Sequence, residues 1–313
     1  MALRPLPALA LALACFLPAL AQAQMPPRDD LAGKLRMTTL DNALVADVAR
    51  QNDVSTLEVL AANFGLDRFH PVTQESVLLP TAHVLPEGPR AGILINLAEY
   101  RLYYFMEARL VLSAPIGIGQ EGNETPLGQT TVLRKQKAPT WVPTPGTHAD
   151  VPDLPPFIPP GPENPLGDYA LYLGWPTYLI HGTNDPYGIG RRFSRGCIRL
   201  YPEDIETLFN MVPIGTQVTV VNEPVKLGWH EGELFLEAHP DFAQLEELRL
   251  KLSFTQRKAE NLSSEIIAAA GERERDLDWV AVRSALERRS GVPVQITSTK
   301  THPVDIVERG AGF

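Results

Sequence analysis

Residues 138–167, APTWVPTPGTHADVPDLPPFIPPGPENPLG, cannot supply a central strand to any sheet. Each proline fixes φ and removes an amide donor from the ladder, so a run this rich in proline belongs to edges, turns and loops. The runs on either side are β-forming. ILIN, YRLYYFM and RLVLSAPIGIG, within residues 91–119, are rich in branched and aromatic residues and read as consecutive antiparallel strands. TTVLRK, ALYLG, TYLIHGT and GTQVTVVN continue the pattern beyond them. The proline-rich stretch thus falls inside a strand series rather than between domains. Two readings stay open for it: a linker, and an ordered lid or wall beside a cleft.

The flanks have another period. Between Thr38 and Leu85, Leu44, Val45 and Val48, then Leu57, Leu60, Ala61 and Phe64, recur at three- and four-residue spacing. This predicts two short helices, followed by a strand over SVLLPT, 76–81. Ser55-Thr56 is an N-cap signal for the second helix and Gly65 a stop. Residues 24–37 show no periodicity. After Pro240, FAQLEELRLKLSFTQRKAENLSSEIIAAA and DLDWVAVRSALERR predict two amphipathic helices in a largely helical extension, 223–313, with their charges on a solvated face.

The first 23 residues, MALRPLPALALALACFLPALAQA, read as a secretory signal cut before Gln24. A lipoprotein start at Cys15 competes because Leu13-Ala14 precede it, although the apolar run continues past Cys15. That run is broken by Pro7 and Pro18, and no other apolar segment reaches the ~18 to 20 residues of a spanning helix, so no transmembrane segment is expected. Loss of Arg4 takes the formal charge from -9 to -10, which disfavours nucleic acid as a partner. The remaining 290 residues (313 − 23) allow a sizeable core and more than one domain.

Signal removal leaves Cys197 as the single cysteine of an exported chain. It can close no intramolecular disulfide and is a buried bystander, a crosslink or a reactive group. Its neighbourhood is HGTNDPYGIGRRFSRGCIRL, 181–200, between a strand-like TYLI and a helix from Glu203 to Met211. Gly182, Gly188, Gly190 and Gly196 describe a tight loop that returns the chain and sets His181 beside Cys197. A thiol of pKa about 8.5 is mostly protonated at neutral pH, and a neighbouring imidazole or cation raises the thiolate fraction. Arg195 and Arg199 bring positive charge nearby. Gly196 lets the backbone approach a substrate, so the Gly196 and Cys197 amides can face a developing oxyanion. Arg191 and Arg192 read as surface charges, Thr125-Pro126-Leu127-Gly128 as a turn, Asp185 as a loop acid and Glu203 as a helix-start acid.

HGT…SRGCIRL, together with INLAEYRLYYF, PIGIGQEGNETPLGQTTV, NPLGDYALYLG and VNEPVKLGW, resembles the L,D-transpeptidases of the YkuD-like fold across roughly residues 40–240. The segment ALVADVARQNDVSTLEVLAANFGLD…SVLLPT resembles a LysM domain, with MTTLDN in place of the usual first strand and turn. The resemblance implies a mostly β catalytic domain over 90–222, a YkuD-like β-sandwich or barrel with short helices. Beside it stand a small α+β LysM-like module over 38–85 and the helical C-terminal extension.

By the same resemblance, Cys197 attacks the bond between meso-diaminopimelate and terminal D-alanine in a peptidoglycan tetrapeptide. His181 is the base, its ring oriented by the Gly182 carbonyl, and the acyl group passes to an amine in the periplasm without metal or organic cofactor. Peptidoglycan stem peptides and glycan are the implied partners, with the lysine of an outer-membrane lipoprotein as an alternative acceptor. Ser194, Thr183, Arg195 and Arg199 are expected at the substrate. The family usually carries a histidine before the Gly-Cys pair; Arg195 stands there here, leaving His181 as the local base. Water as acceptor would make the protein an L,D-carboxypeptidase, or a hydrolase releasing wall-bound protein. A non-catalytic peptidoglycan-binding protein with an inert thiol is the reading from another class.

Overall fold

The computed structural model describes residues 29–257, 262–298 and 307–309, so the signal reading of residues 1–23 lies outside the described residues. Strands β1 (Leu31–Gly33) and β2 (Leu35–Leu40) precede helices α1 (Val45–Gln51) and α2 (Thr56–Ala62), which lead to β3 (Glu75–Leu79) and β4 (Ala82–Val84). The two helices and the strand after them follow the sequence pattern. The strands before them do not, because β2 buries only Leu35 and Leu40 at its ends and shows no alternation to read. Its extended form comes from antiparallel pairing with β3, Thr38 opposite Val77. α2 begins with a capping box: the Ser55 hydroxyl accepts from the Glu58 amide at 3.2 Å, and the Glu58 carboxylate accepts from the Ser55 amide at 2.6 Å.

The strand series then runs β5 (Gly92–Asn96), β6 (Arg101–Met106), β7 (Arg109–Pro115), β8 (Ile118–Gly119) and β9 (Gly128–Lys137). The proline-rich stretch follows with one short helix, α3 (Pro145–Asp150). After it come β10 (Tyr169–Leu173), β11 (Leu179–His181), β12 (Arg192–Ser194), β13 (Ile198–Arg199), helix α4 (Pro202–Met211) and β14 (Gln217–Val221). Eight of these strands make one sheet in the order β13-β11-β10-β9-β14-β5-β6-β7. β5, β6 and β7 pair antiparallel as their sequence predicts, whereas β14 with β5 and β11 with β13 are parallel. The fold is mostly β with short helices, as expected. Leu57 and Leu60 of α2 share one continuous core with Ile93, Ile95 and Ile180 of the sheet, so the N-terminal unit is packed against the strands.

The extension departs from its helical reading. It opens with a hairpin, β15 (Val225–His230) and β16 (Glu233–Ala238), before α5 (Phe242–Lys251), α6 (Ser263–Ala270), α7 (Trp279–Arg288), β17 (Val294–Gln295) and β18 (Val307–Arg309). The hairpin turns on Glu231 and Gly232, both at positive φ, 50° and 80°, as a two-residue hairpin loop requires. Leu234, Leu236 and Ala238 then form a second core with Ile266, Val282 and Leu286. The first helical run also divides, because Leu252 ends α5 in the left-handed region at φ 60°. Among the described residues no helix is long and apolar enough to cross a membrane.

A buried ionic network joins the three parts. Lys226 of β15 reaches Glu99, between β5 and β6, and Glu237 of β16, the latter at 3.0 Å. His239 meets Glu237 at 2.7 Å, Tyr103 donates to Glu99 at 3.0 Å, and the Val84 amide donates to Glu237. Burial pushes the Glu237 carboxyl upward, but the Lys226 ammonium and the hydrogen bond from His239 outweigh it and hold Glu237 well below its usual range. His83, Glu99 and Glu237 place ligand-type atoms within 4.8 Å of one another, and the Lys226 ammonium already bridges the two carboxylates. Lys226→Met is expected to cost about 3–5 kcal/mol, because it removes the cation that bridges two buried carboxylates. A chemical-denaturation midpoint unchanged from the parent protein would show that the network adds nothing.

Candidate active site

The site is laid out by one pair of short strands. In the parallel β11–β13 pair, Ile180 lies opposite Ile198 and His181 opposite Arg199. Ile180 and Ile198 are fully buried in the main core. Alternation therefore turns His181, Arg199 and, one step before β13, Cys197 to the opposite face. The glycine-rich loop does bring the chain back, and of the two candidate arginines Arg199 is the one that shares the thiol's face.

The backbone before the cysteine is locked from several sides. Gly196 sits at φ 95°, and a Cβ there would lie 2.4 Å from the Tyr178 ring, so only glycine fits. Its carbonyl accepts from the Thr125 hydroxyl at 2.9 Å, and that oxygen accepts from the Gly119 amide at 3.0 Å. The Ser194 hydroxyl closes the turn by donating to the Cys197 carbonyl at 2.5 Å. The thiol itself donates to the Thr177 carbonyl at 3.5 Å. Thr177 holds φ 70°, a strained value for a β-branched residue, and the strain lies directly beneath the sulfur.

The long loop is braced from outside the sheet. Ser55 of the α2 cap fills the space where a Gly190 Cβ would stand, 2.4 Å away. Arg192 donates to the Gly119 carbonyl at 3.1 Å and lies 4.4 Å over the ring of Phe242 in α5. Both appended units thus support the segment that carries the cysteine.

The proline-rich stretch is an ordered wall. Asn164, fully buried, donates to the carbonyls of Pro139, Ile158 and Pro159 at 2.8, 3.2 and 3.1 Å and accepts from the Leu166 amide at 2.9 Å. One asparagine thereby satisfies a backbone whose prolines cannot donate. Trp141 and Ile158 bridge across the stretch. Its far end closes on the histidine: a Gly167 Cβ would lie 2.9 Å from the Thr183 amide, and the Leu166 carbonyl faces the His181 ring.

Electrostatics follow from this burial. His181 is 2% exposed, and its Nδ1 hydrogen-bonds the Gly182 carbonyl at 2.6 Å. Burial, and next the Arg199 guanidinium, lower its pKa to about 3, so the ring is neutral at working pH. Burial pushes the Cys197 thiol up, partly offset by the Leu179 amide and by Arg199. The resting pair is thus a neutral thiol and a neutral imidazole. Each is hydrogen-bonded to a carbonyl rather than to the other.

Other expected residues take different places. The Thr183 hydroxyl donates to the Asp185 carbonyl at 3.1 Å and accepts from the Asp185 amide at 2.9 Å. Like Ser194 it is buried and serves the loop rather than facing the cleft. Arg195 turns away to Asn123 and Asp150. Arg199 lies 5.4 Å over Phe193, with its Nε unpartnered among the described residues. Thr125, Asn164, Tyr178 and Thr177 are supports that residue patterns alone do not reveal; for Asn164 the only signal was an amide side chain between prolines.

The sequence of the L,D-transpeptidase catalytic domain family, YkuD, matches residues 90–220. Over 247 residues the chain is 43% identical to the Probable L,D-transpeptidase ErfK/SrfK of Escherichia coli (strain K12), covering 77% of this chain and 78% of that protein. The chain belongs to the L,D-transpeptidase family. Two further relatives from the same strain are the Probable L,D-transpeptidase YbiS, 39% identical over 79% of this chain and 81% of the relative, and the Probable L,D-transpeptidase YcfS, 36% identical over 94% of both. The L,D-transpeptidase domain match spans the segments that carry His181 and Cys197 and the proline-rich wall, while the braces Ser55 and Phe242 lie outside it.

Proposed function

We propose that this L,D-transpeptidase works through Cys197 on peptidoglycan stem peptides in the periplasm. The observation that carries the reading is the common face of His181, Arg199 and Cys197, set at the edge of the sheet and walled by residues 138–167. Rotation of the thiol from the Thr177 carbonyl toward the imidazole lets His181 accept its proton as sulfur attacks the amide carbonyl between meso-diaminopimelate and D-alanine. The C–S bond forms, the C–N bond breaks, and the imidazolium returns the proton to the departing D-alanine amine. An acceptor amine then attacks the thioester, a C–N bond replaces the C–S bond, and the amine's proton restores the thiol by way of His181.

The Gly182 carbonyl fixes the ring and its tautomer. The amides of Gly196 and Cys197 lie outside the β11–β13 ladder, whose register begins at Ile198, and serve as oxyanion donors. Arg199, half-buried and stacked on Phe193, pairs with a substrate carboxylate. The β2–α1–α2–β3 unit, LysM-like in pattern, contacts glycan. Failure of the protein to cosediment with purified sacculi would remove that role.

The acceptor is a stem-peptide amine or a lipoprotein lysine. The test is incubation of the purified protein with disaccharide-tetrapeptide and mass analysis of the products. Crosslinked dimer with released D-alanine supports transfer; tripeptide alone assigns hydrolysis; unchanged tetrapeptide, with and without a lysine-bearing lipoprotein, defeats the reading.

A further inference from the structure

The proline-rich wall has one firm end and one light one. At the firm end Asn164, Leu166 and Gly167 pack against the His181 segment. At the light end α3 buries none of its side chains, so the hydrophobic effect does not hold it down. What meets it is Arg195. The guanidinium forms an ion pair with Asp150, the last residue of α3, and donates to Asn123 at 3.3 Å. Gly146 of the same helix lies against it, since a Cβ there would be 3.3 Å from Arg195 Nη1. Arg195 is two residues from the nucleophile and belongs to the turn that Thr125 and Ser194 lock.

We infer that Arg195 is a positioning residue that tethers α3, through Asp150, to the nucleophile turn, and that this tether favours an amine over water as the acceptor of the thioester. The inference rests on the proposed cysteine mechanism. The thioester bond is broken by either nucleophile: an amine gives a new C–N bond and the crosslinked product, and water gives a C–O bond and the free tripeptide acid. A wall held beside the nucleophile turn restricts bulk water while the acceptor supplies its own binding contacts. Releasing the light end therefore changes the partition of the intermediate more than its formation. A guanidinium suits this position because it holds two partners at once, Asn123 and Asp150, with separate nitrogens.

The test uses the full protein with disaccharide-tetrapeptide and reads two quantities, tetrapeptide consumed and the ratio of tripeptide to crosslinked dimer. Asp150→Asn is expected to leave consumption unchanged and to raise the ratio about two- to fivefold, the range of an ion pair at the surface. Arg195→Ala raises the ratio by a similar factor, and the exchanged pair Arg195→Asp with Asp150→Arg brings it back toward the parent value. Parent-like ratios in both single variants overturn the tether, and so does an exchanged pair that fails to restore a shifted ratio. Absence of any cysteine-dependent product from the parent protein defeats the underlying mechanism instead, so the two failures are told apart.

Discussion

Cys197→Ala is expected to abolish D-alanine release from tetrapeptide, by at least about four orders of magnitude, as removal of a nucleophile does when nothing nearby replaces it. Cys197 is the one cysteine among the described residues. The side chain is small, and its hydrogen bond to the Thr177 carbonyl is a long one, so the variant keeps the parent thermal stability within about 1 kcal/mol. Intact-mass analysis makes the assignment direct. The parent protein gains the mass of the acyl group during turnover, and the variant gains none. Parent-level release by the alanine variant would place the nucleophile elsewhere and end the cysteine mechanism.

His181→Gln is expected to lower kcat by about 10²–10⁴ while leaving KM near the parent value, because the ring moves a proton and its burial keeps it from binding substrate by charge. Its pH signature follows from the two titrating groups. The histidine pKa lies at about 3, so the ring is already unprotonated across pH 5 to 9 and contributes no rising limb there. The thiol is raised above its ordinary value, so its ionised fraction climbs throughout that window. Iodoacetamide labelling of the parent protein should rise about tenfold per pH unit from pH 6 to 8 without a plateau. A plateau near pH 7 would mean a preformed thiolate, which the buried neutral pair does not provide. In folding terms the depressed histidine has the opposite sense. The unfolded imidazole binds its proton near pH 6.5, the folded one only near 3, so this group's stability contribution is complete above pH 6.5 and is lost as pH falls toward 3.

The parts of the fold set by local chemistry were readable. Branched and aromatic runs marked β5, β6 and β7, and glycines marked the return from His181 to Cys197. Prolines barred residues 138–167 from the sheet interior, but whether they formed linker or wall turned on Asn164, whose four hydrogen bonds exist only once the chain has folded round it. The choice between Arg195 and Arg199 needed the register of β13 on β11, a long-range fact. Ser194 and Thr183 were readable as polar loop residues, yet their direction was not: both hydroxyls are taken by backbone groups two or three residues away. The hairpin at Glu231-Gly232 was missed because its strands carry Lys226, Glu233 and Glu237, which resemble a solvated face until their partners are known.

The bracing of the 181–200 loop by Ser55 on one side and Phe242 on the other bears on when in the life of the chain the site comes into being. β14 must also return to β5 across more than a hundred residues, Val218 opposite Ile93. Contacts this distant in sequence are slow to form, because the loop they close is paid for before they reward it. A chain emerging N-terminus first therefore carries Cys197 before Phe242, the later of the two braces, has arrived. Until Phe242 is in place the 181–200 loop lacks the ring over which Arg192 lies. Completion of the C-terminal third is thus the event that finishes the bracing of the loop that carries the cysteine.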